Sequence, residues 1–335
     1  MTIVADSAPA LPRKPRVVVT RRLLPETEAR LTELFDVRLS QEDRPMTRGD
    51  LAAAMAECDV LVPTVTDMLD AELIAAAGPQ LGLIASFGAG TDHIDVTAAK
   101  AREIMVTNTP SVFTDDTADL TLALIIFVSR RFWPSGQLLR VGGWDGWRPS
   151  GLLGNNLNGK RLGIVGMGRI GQAVAQRARA FGLEVIYNNR NRLPEAIEGP
   201  LAARYEPELD RLVAEADILT LHCPAATDTR HLMDARRLGL MKRGSFLINT
   251  GRGGLVDEDA LIAALTDGQL GGAGLDVFAN EPHVNRRLLE LPNLVALPHL
   301  GSATHEGREA AGLRVVANIR FWADGHRPPD LVLPS

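Results

Sequence analysis

The chain has 335 residues, 45% of them apolar, with 36 Lys and Arg against 41 Asp and Glu and a formal charge of −5. At about 150 residues per domain this length argues for two domains with apolar content enough for two cores, which excludes wholesale disorder, and the acidic balance argues against a nucleic-acid partner. The longest apolar run, 120–128 with Thr121 interrupting it, falls far short of a bilayer span, and only Cys58 and Cys223 are present, with no apolar signal core at the start. A cytoplasmic protein without membrane attachment is expected.

Residues 1–15 are small, polar and Pro-containing and read as a mobile tail. From Arg16 onward, short β-branched runs alternate with amphipathic segments. Strands are predicted over 17–19, 36–39, 60–62, 83–86 and 104–106, and helices over 26–35, 48–57 and 71–77. Short apolar runs separated by helices predict a parallel sheet covered on both faces. A helix over 115–131 follows, with Thr114 as its cap, acids at its start and arginines at its end, as the macrodipole prefers. After a Gly-, Trp- and Pro-rich break over 142–158, a second series predicts strands over 162–165, 184–187, 218–221, 245–248, 272–275 and 294–296, with helices over 170–181 and 258–265. The last helix, 306–321, could pack on either array.

Between a predicted strand and a predicted helix stands Gly166-Met167-Gly168-Arg169-Ile170-Gly171. A tight turn, a close backbone approach to a pyrophosphate and a helix–strand contact each ask for glycine at that spacing, so these residues are assigned to a dinucleotide. The next strand runs into Asn188-Asn189-Arg190-Asn191-Arg192, which lacks the carboxylate that reads the ribose hydroxyls of NAD. Asn189 stands in that place, and Arg190 and Arg192 suit a 2′-phosphate, so NADP(H) is favoured and NAD(H) stays open. Three further loops follow strands of the second series and carry a guanidinium at Arg252, a carboxylate at Glu281 and an imidazole at His299. Ligands of such sheets gather beyond the carboxyl ends of the strands. No His, Cys or carboxylate spacing suggests a metal.

Taken together, Asn249-Thr250-Gly251-Arg252-Gly253, Gly274-Leu275-Asp276-Val277-Phe278 with Glu281-Pro282, and Pro298-His299 with Gly301-Ser302 resemble the signatures of the D-isomer-specific 2-hydroxyacid dehydrogenases, and within them the glyoxylate/hydroxypyruvate reductase branch. The resemblance runs from about Arg16 to Pro329. It implies two doubly wound α/β domains with parallel sheets: a Rossmann cofactor domain, 111–299, inserted in a flavodoxin-like substrate domain formed by 16–110 and 300–335. It also implies a dimer, with the 115–131 helix and the segment after it at the contact. The expected activity is reduction of small 2-oxo acids, glyoxylate or hydroxypyruvate, to D-2-hydroxy acids.

By the same resemblance, backbone amides at Gly88, Ala89 and Gly90 hold the substrate carboxylate, Arg252 completes that clamp and polarises the carbonyl, and His299 donates the proton with Glu281 on its other ring nitrogen. Asp276 is expected to accept from the nicotinamide carboxamide, with Thr117, Thr250, Cys223 and Pro224 lining the cofactor. Trp147, after Trp144, matches a paired-Trp motif whose second member can reach a neighbour's substrate pocket. His93 and His222 are read as structural. Two departures stand out: Gly251 replaces an Ala or Ser, and Ser150-Gly151 stands where related reductases often carry Thr and an aromatic residue. The competing class is a nucleotide-sensing corepressor-like binding protein on the same fold.

Overall fold

The structure, a computed structural model, describes residues 13–333. The expected tail over 1–12 lies outside the described residues, and the rest of it, 13–15, is docked rather than mobile. Arg13 bonds both carboxylate oxygens of Asp59 at 2.9 Å, Lys14 donates to the Glu33 carbonyl at 2.8 Å, and the Pro15 carbonyl accepts from Asp36.

The chain divides into two compact units, one made of the described residues up to Val112 and from Arg308 on, the other Phe113–Gly307. In the first, strands β1 (Arg16–Val19), β2 (Asp36–Arg38), β3 (Val60–Val62), β4 (Leu83–Ala85) and β5 (Met105–Thr107) form an all-parallel sheet in the order β2-β1-β3-β4-β5. This is the flavodoxin-like order. The long helix His305–Ala323 contributes Val315, Val316 and Ile319 to the core of this unit, against Val17, Val19 and Leu83, which decides between the two arrays that its sequence left open. It can lie against the helix Pro25–Leu34 because residue 312 is glycine; a Cβ there would stand 2.0 Å from the Thr27 hydroxyl.

The second unit holds β6 (Arg161–Val165), β7 (Glu184–Asn188), β8 (Arg204–Tyr205), β9 (Ile218–Leu221), β10 (Ser245–Asn249), β11 (Leu270–Leu275) and β12 (Leu294–Ala296), all parallel, in the order β12-β11-β10-β9-β6-β7-β8. The order reverses between β6 and β9, the switch point at which a doubly wound sheet opens a crevice for a ligand. The segment 300–307, expected outside this unit, belongs to it. Thr117 Oγ1 donates to the Gly301 carbonyl at 2.9 Å, and Thr304 Oγ1 donates to Asp116 at 3.0 Å.

The helix expected over 115–131 runs as Thr114–Ser129, with Phe113 rather than Thr114 at the N-cap and no side-chain cap. Arg131 then takes a left-handed backbone, φ 54°, and a second helix, Phe132–Arg140, follows with no buried residue. Four helices of six or seven residues were not anticipated, Val96–Ala101, Glu195–Leu201, Leu209–Glu215 and Ala235–Leu240, nor was the single turn Arg286–Leu289. At six or seven residues each they are too short to show a helical period. Two of them nonetheless carry a readable start, since Asp95 and Asp234 accept from the amides of Ala98 and Arg237. No helix among the described residues is long and apolar enough to cross a membrane.

Helix Thr114–Ser129 brings Thr117 and Thr121 to the site loops because it lies directly on β10 and β11. Glycines make that approach possible: a Cβ on Gly272 would meet Val128 at 2.7 Å and the Asn293 carbonyl at 2.8 Å, and one on Gly274 would meet Leu124 at 3.2 Å. Overpacking a dense core costs about 1–3 kcal/mol. Gly272→Val is therefore expected to lower the urea midpoint by that amount of stability without changing the slope; an unchanged midpoint would show that the helix is not held this closely.

Candidate active site

The loop after β10 is shaped by its own polar side chain. Buried Asn249 donates from Nδ2 to the Arg252 carbonyl at 2.8 Å and accepts the Gly251 amide at 3.0 Å, an Asx-type turn that bends the chain and projects Arg252. Sequence reasoning passed over Asn249, although Asn at the end of a strand before a Gly-rich stretch is a readable turn signal. Gly253 is compulsory, since a Cβ there would fall 1.9 Å from the Phe278 carbonyl carbon. The loop that carries Arg252 thus lies backbone to backbone on the loop that carries Glu281. Arg252 donates to the Gly251 carbonyl at 2.9 Å and its charge acts on the Glu281 carboxylate.

Glu281 is held at both oxygens: Oε1 accepts the Phe278 amide at 2.9 Å and Oε2 lies 2.8 Å from Nδ1 of His299. Burial pushes its carboxyl up, but the His299 bond, the Phe278 amide and the charges of His299 and Arg252 outweigh burial and hold it below the ordinary 4.5. An ionised carboxylate can only accept, so Nδ1 carries hydrogen and Nε2 is left as the nitrogen that exchanges a proton. The pair is about one-third exposed, with side chains at 31% and 34%, and so open to a small molecule. The structure thus brings Arg252, Glu281 and His299 together in the second unit.

His299 has a left-handed backbone, φ 56°, which costs a non-glycine residue roughly 1–3 kcal/mol and persists only where the surroundings hold it. The Asp276 carbonyl accepts the His299 amide at 2.9 Å, Asp276 Oδ1 accepts the Leu300 amide at 2.6 Å, and Oδ2 accepts the Gly301 amide at 2.8 Å. Asp276, expected to accept from the nicotinamide carboxamide, is buried at 0% exposure, and each of its oxygens accepts one backbone amide. Thr117 and Thr250, expected to line the cofactor, each make a hydroxyl contact within the second unit. Thr117 donates to Gly301, and Thr250 shares a 2.9 Å hydroxyl contact with Thr121.

The glycine loop after β6 fits a dinucleotide. Gly166 has φ 93°, and a Cβ there would stand 2.5 Å from the Cys223 amide nitrogen; one on Gly171 would stand 2.3 Å from the Gly166 carbonyl oxygen. Both glycines therefore close the turn. Gly168, by contrast, faces open space, with nothing within 4 Å of where its Cβ would be, and it begins the helix Arg169–Ala180 without a side-chain cap. That leaves room for a pyrophosphate over a helix N-terminus. Met167 is buried in the core and Ile170 packs against it, so their side chains belong to the fold, while Arg169 is exposed.

At the end of β7, the two arginines part company. Arg192 is committed to Glu198 through bonds of 2.6 and 3.0 Å, and Glu198 also accepts from Tyr187. The expectation that Arg192 pairs with a 2′-phosphate is corrected: a buried carboxylate on the following helix, Glu195–Leu201, claims it. Arg190 is exposed and forms no hydrogen bond or ion pair among the described residues, while Asn189 donates to the Asn191 carbonyl and its own carbonyl accepts from the Tyr205 hydroxyl on β8. On the neighbouring turn after β9, burial pushes the Cys223 thiol up to about 11, and His222, 2.9 Å from the Thr220 hydroxyl, is pushed down to about 4. Neither carries charge near neutrality.

In the first unit, the loop after β4 has its carbonyls fixed and its amides presented. The Gly88 carbonyl accepts from Thr109 and the Ala89 carbonyl from Asn108, whereas the amides of Gly88, Ala89 and Gly90 donate to no acceptor among the described residues. His93 is buried nearby, 3.2 Å from the Ser86 hydroxyl. Trp147 is 81% exposed.

Residues 122–301 match the family described as D-isomer specific 2-hydroxyacid dehydrogenase, NAD binding domain. A glyoxylate reductase of Thermococcus litoralis is 45% identical over 95% of this chain and 97% of that relative. Among solved structures, the TT0316 protein of Thermus thermophilus superposes with a TM-score of 0.88 at 43% identity, over 95% of this chain and 100% of that one. An NADPH-dependent glyoxylate/hydroxypyruvate reductase of Sinorhizobium meliloti, solved with NADP and malonate, gives 0.85 at 35% identity over 95% and 97%.

The depressed carboxyl of Glu281 has a signed consequence. Its charged form stabilises the folded chain at pH values above the ordinary carboxylate range, and that stabilisation disappears as pH falls through the lowered folded value. The difference in urea midpoint between wild type and Glu281→Gln is expected to hold steady from pH 7 to 5 and to shrink below about 4. A difference that grew on acidification would contradict the ionised assignment.

Proposed function

The chain belongs to the D-isomer specific 2-hydroxyacid dehydrogenase family and is a nicotinamide-dependent oxidoreductase, and from that premise we propose that it reduces glyoxylate, and with it hydroxypyruvate, to the 2-hydroxy acid with NADPH as the preferred reductant. The observation that carries the reading is the Glu281–His299 bond of 2.8 Å beside Arg252. Bound to the glycine loop, the nicotinamide cofactor supplies a hydride.

The chain's own groups do the rest. The amides of Gly88, Ala89 and Gly90 receive the substrate carboxylate, and Arg252 adds a guanidinium that stabilises charge developing on the carbonyl oxygen. His299 releases the proton from Nε2 to that oxygen and takes it back in the oxidative direction, while Glu281 holds Nδ1–H and so fixes which nitrogen reacts. Arg190 is the cation for a 2′-phosphate, with Asn189 in place of the carboxylate that would repel it. A homodimer is part of the same reading. Trp133, Leu139, Val141, Trp147 and Leu153 stand exposed along one stretch of the sequence, and a subunit contact would cover them. Both cysteines are unpaired, which suits a reducing cytoplasm.

Initial rates over a panel of 2-oxo acids with NADPH and NADH in parallel test substrate and cofactor together. His299→Ala is expected to lose at least about a thousandfold in kcat while binding NADPH normally, within the range of general acid–base contributions. Arg252→Ala should raise KM and lower kcat together. Turnover by the His299 variant at the wild-type rate would remove the acid. Asn189→Asp with Arg190→Ala should move the kcat/KM ratio toward NADH by about tenfold or more; an unchanged ratio would place cofactor selection elsewhere.

A further inference from the structure

Gly88, Ala89 and Gly90 carry no polar side chain, so the direction of their amides is set by whatever holds the chain on either side of them. Within the first unit both flanks of that loop are stitched to the segment 63–69, which follows β3. The Phe87 amide donates to the Pro63 carbonyl at 2.8 Å, the Leu69 amide to the His93 carbonyl at 2.8 Å, and the Asp95 amide back to the Leu69 carbonyl at 2.9 Å. The two segments also pack closely, since a Cβ on Gly88 would stand 3.1 Å from Cγ1 of Val65. Asp67, 1% exposed, closes the segment on itself and ties it to the end of β1. Its Oδ2 accepts the hydroxyl of fully buried Thr20 at 2.6 Å and the amide and hydroxyl of Thr64 at 2.8 and 3.2 Å, and its own amide donates to the Thr64 carbonyl at 3.0 Å. Three donors thus end on one oxygen, while Oδ1 is buried and takes no hydrogen bond from the described residues.

We infer that Asp67 is a positioning residue for substrate capture: by tying the segment 63–69 to Thr20 it holds both flanks of the Gly88–Gly90 loop and so keeps the three amides aimed at one carboxylate. The inference rests on the proposed role of those amides. Burying a carboxyl group with one oxygen unbonded is unfavourable, and closing a turn does not require it; here the same group also joins the segment to β1. Because every donor ends on Oδ2, the oxygen of an asparagine can accept all three, whereas alanine offers no acceptor. The substrate carboxylate is held alike in the ground state and in the transition state, so loosening its amides raises KM and spares kcat. A loss of folded protein does the reverse, lowering apparent kcat at constant KM. The glycine loop assigned to the cofactor belongs to the other unit, so the affinity for NADPH is untouched.

The experiment compares wild type, Asp67→Ala, Asp67→Asn, Thr20→Val and Gly88→Val as full-length protein. It measures KM and kcat for glyoxylate at saturating NADPH, the Kd of NADPH by fluorescence, and hydrogen exchange in peptides covering 64–70 and 84–95. Asp67→Ala is expected to raise KM by about tenfold or more, with kcat within about threefold and the Kd of NADPH within about twofold of wild type. Its two peptides should exchange faster, through the Phe87, Leu69 and Asp95 amides. Asp67→Asn should bring KM back to within about threefold of wild type, and Thr20→Val, which removes the 2.6 Å donor, should fall between the two. An Asp67→Ala protein with a wild-type KM, or one whose kcat falls while KM holds, would overturn the inference, as would an Asp67→Asn protein no better than Asp67→Ala. If Asp67→Ala does not fold, Thr20→Val decides, and a wild-type KM there would overturn the inference. Gly88→Val, which crowds Val65 and displaces the loop directly, tells a failed pin from a failed assignment of the loop. A wild-type KM in that variant would mean that the Gly88–Gly90 amides do not hold the carboxylate; a raised KM there beside an unchanged one in Asp67→Ala would mean that only the pin is wrong.

Discussion

The contact between Nδ1 of His299 and Oε2 of Glu281, 2.8 Å long, is the constraint around which the second unit is arranged. It sets the tautomer of the imidazole and so which nitrogen can pass a proton, and it requires two loops from different strand ends to meet within a few tenths of an ångström. Each loop is secured separately. Gly253 lets the Arg252 loop lie on Phe278, the Phe278 amide takes one oxygen of Glu281, and Asp276 receives the chain on either side of the His299 peptide. An imidazole with a left-handed backbone is tolerable only in such a setting.

Helix Thr114–Ser129 is the second element of this arrangement. Gly272 and Gly274 allow it close to β11, and from there Thr117 reaches the Gly301 carbonyl and Thr121 reaches Thr250. The apolar stretch that follows the same helix is exposed. In the proposed homodimer that stretch would meet the partner, while Thr117 and Thr121 on the same helix bond the loops beside His299 and Arg252.

Much of this was readable from residue types alone. Both parallel arrays follow from short β-branched runs, and the three chemical groups were visible because each stands just past a strand. What was not readable depended on competition for partners. Nothing in the spacing of Arg190 and Arg192 says that Glu198, six residues further on, claims the second guanidinium and leaves the first. The two amides that Asp276 accepts were not readable either, because they come from residues twenty-four and twenty-five positions later. The short helices escaped because six residues do not define a period, and Thr114 was mistaken for a cap because its neighbour Phe113 shows no polar sign of being one. Local pattern thus gave the elements, and long-range hydrogen bonding decided the roles.

The most direct test of the central contact is nitrogen-15 NMR of histidine-labelled protein with cofactor bound, titrated across the neutral range, with the His299 signals identified by their absence from a His299→Gln protein. The account requires Nδ1 to stay protonated throughout while Nε2 gains and loses its proton. A neutral imidazole with hydrogen on Nε2 and a bare Nδ1 facing Glu281 would contradict it.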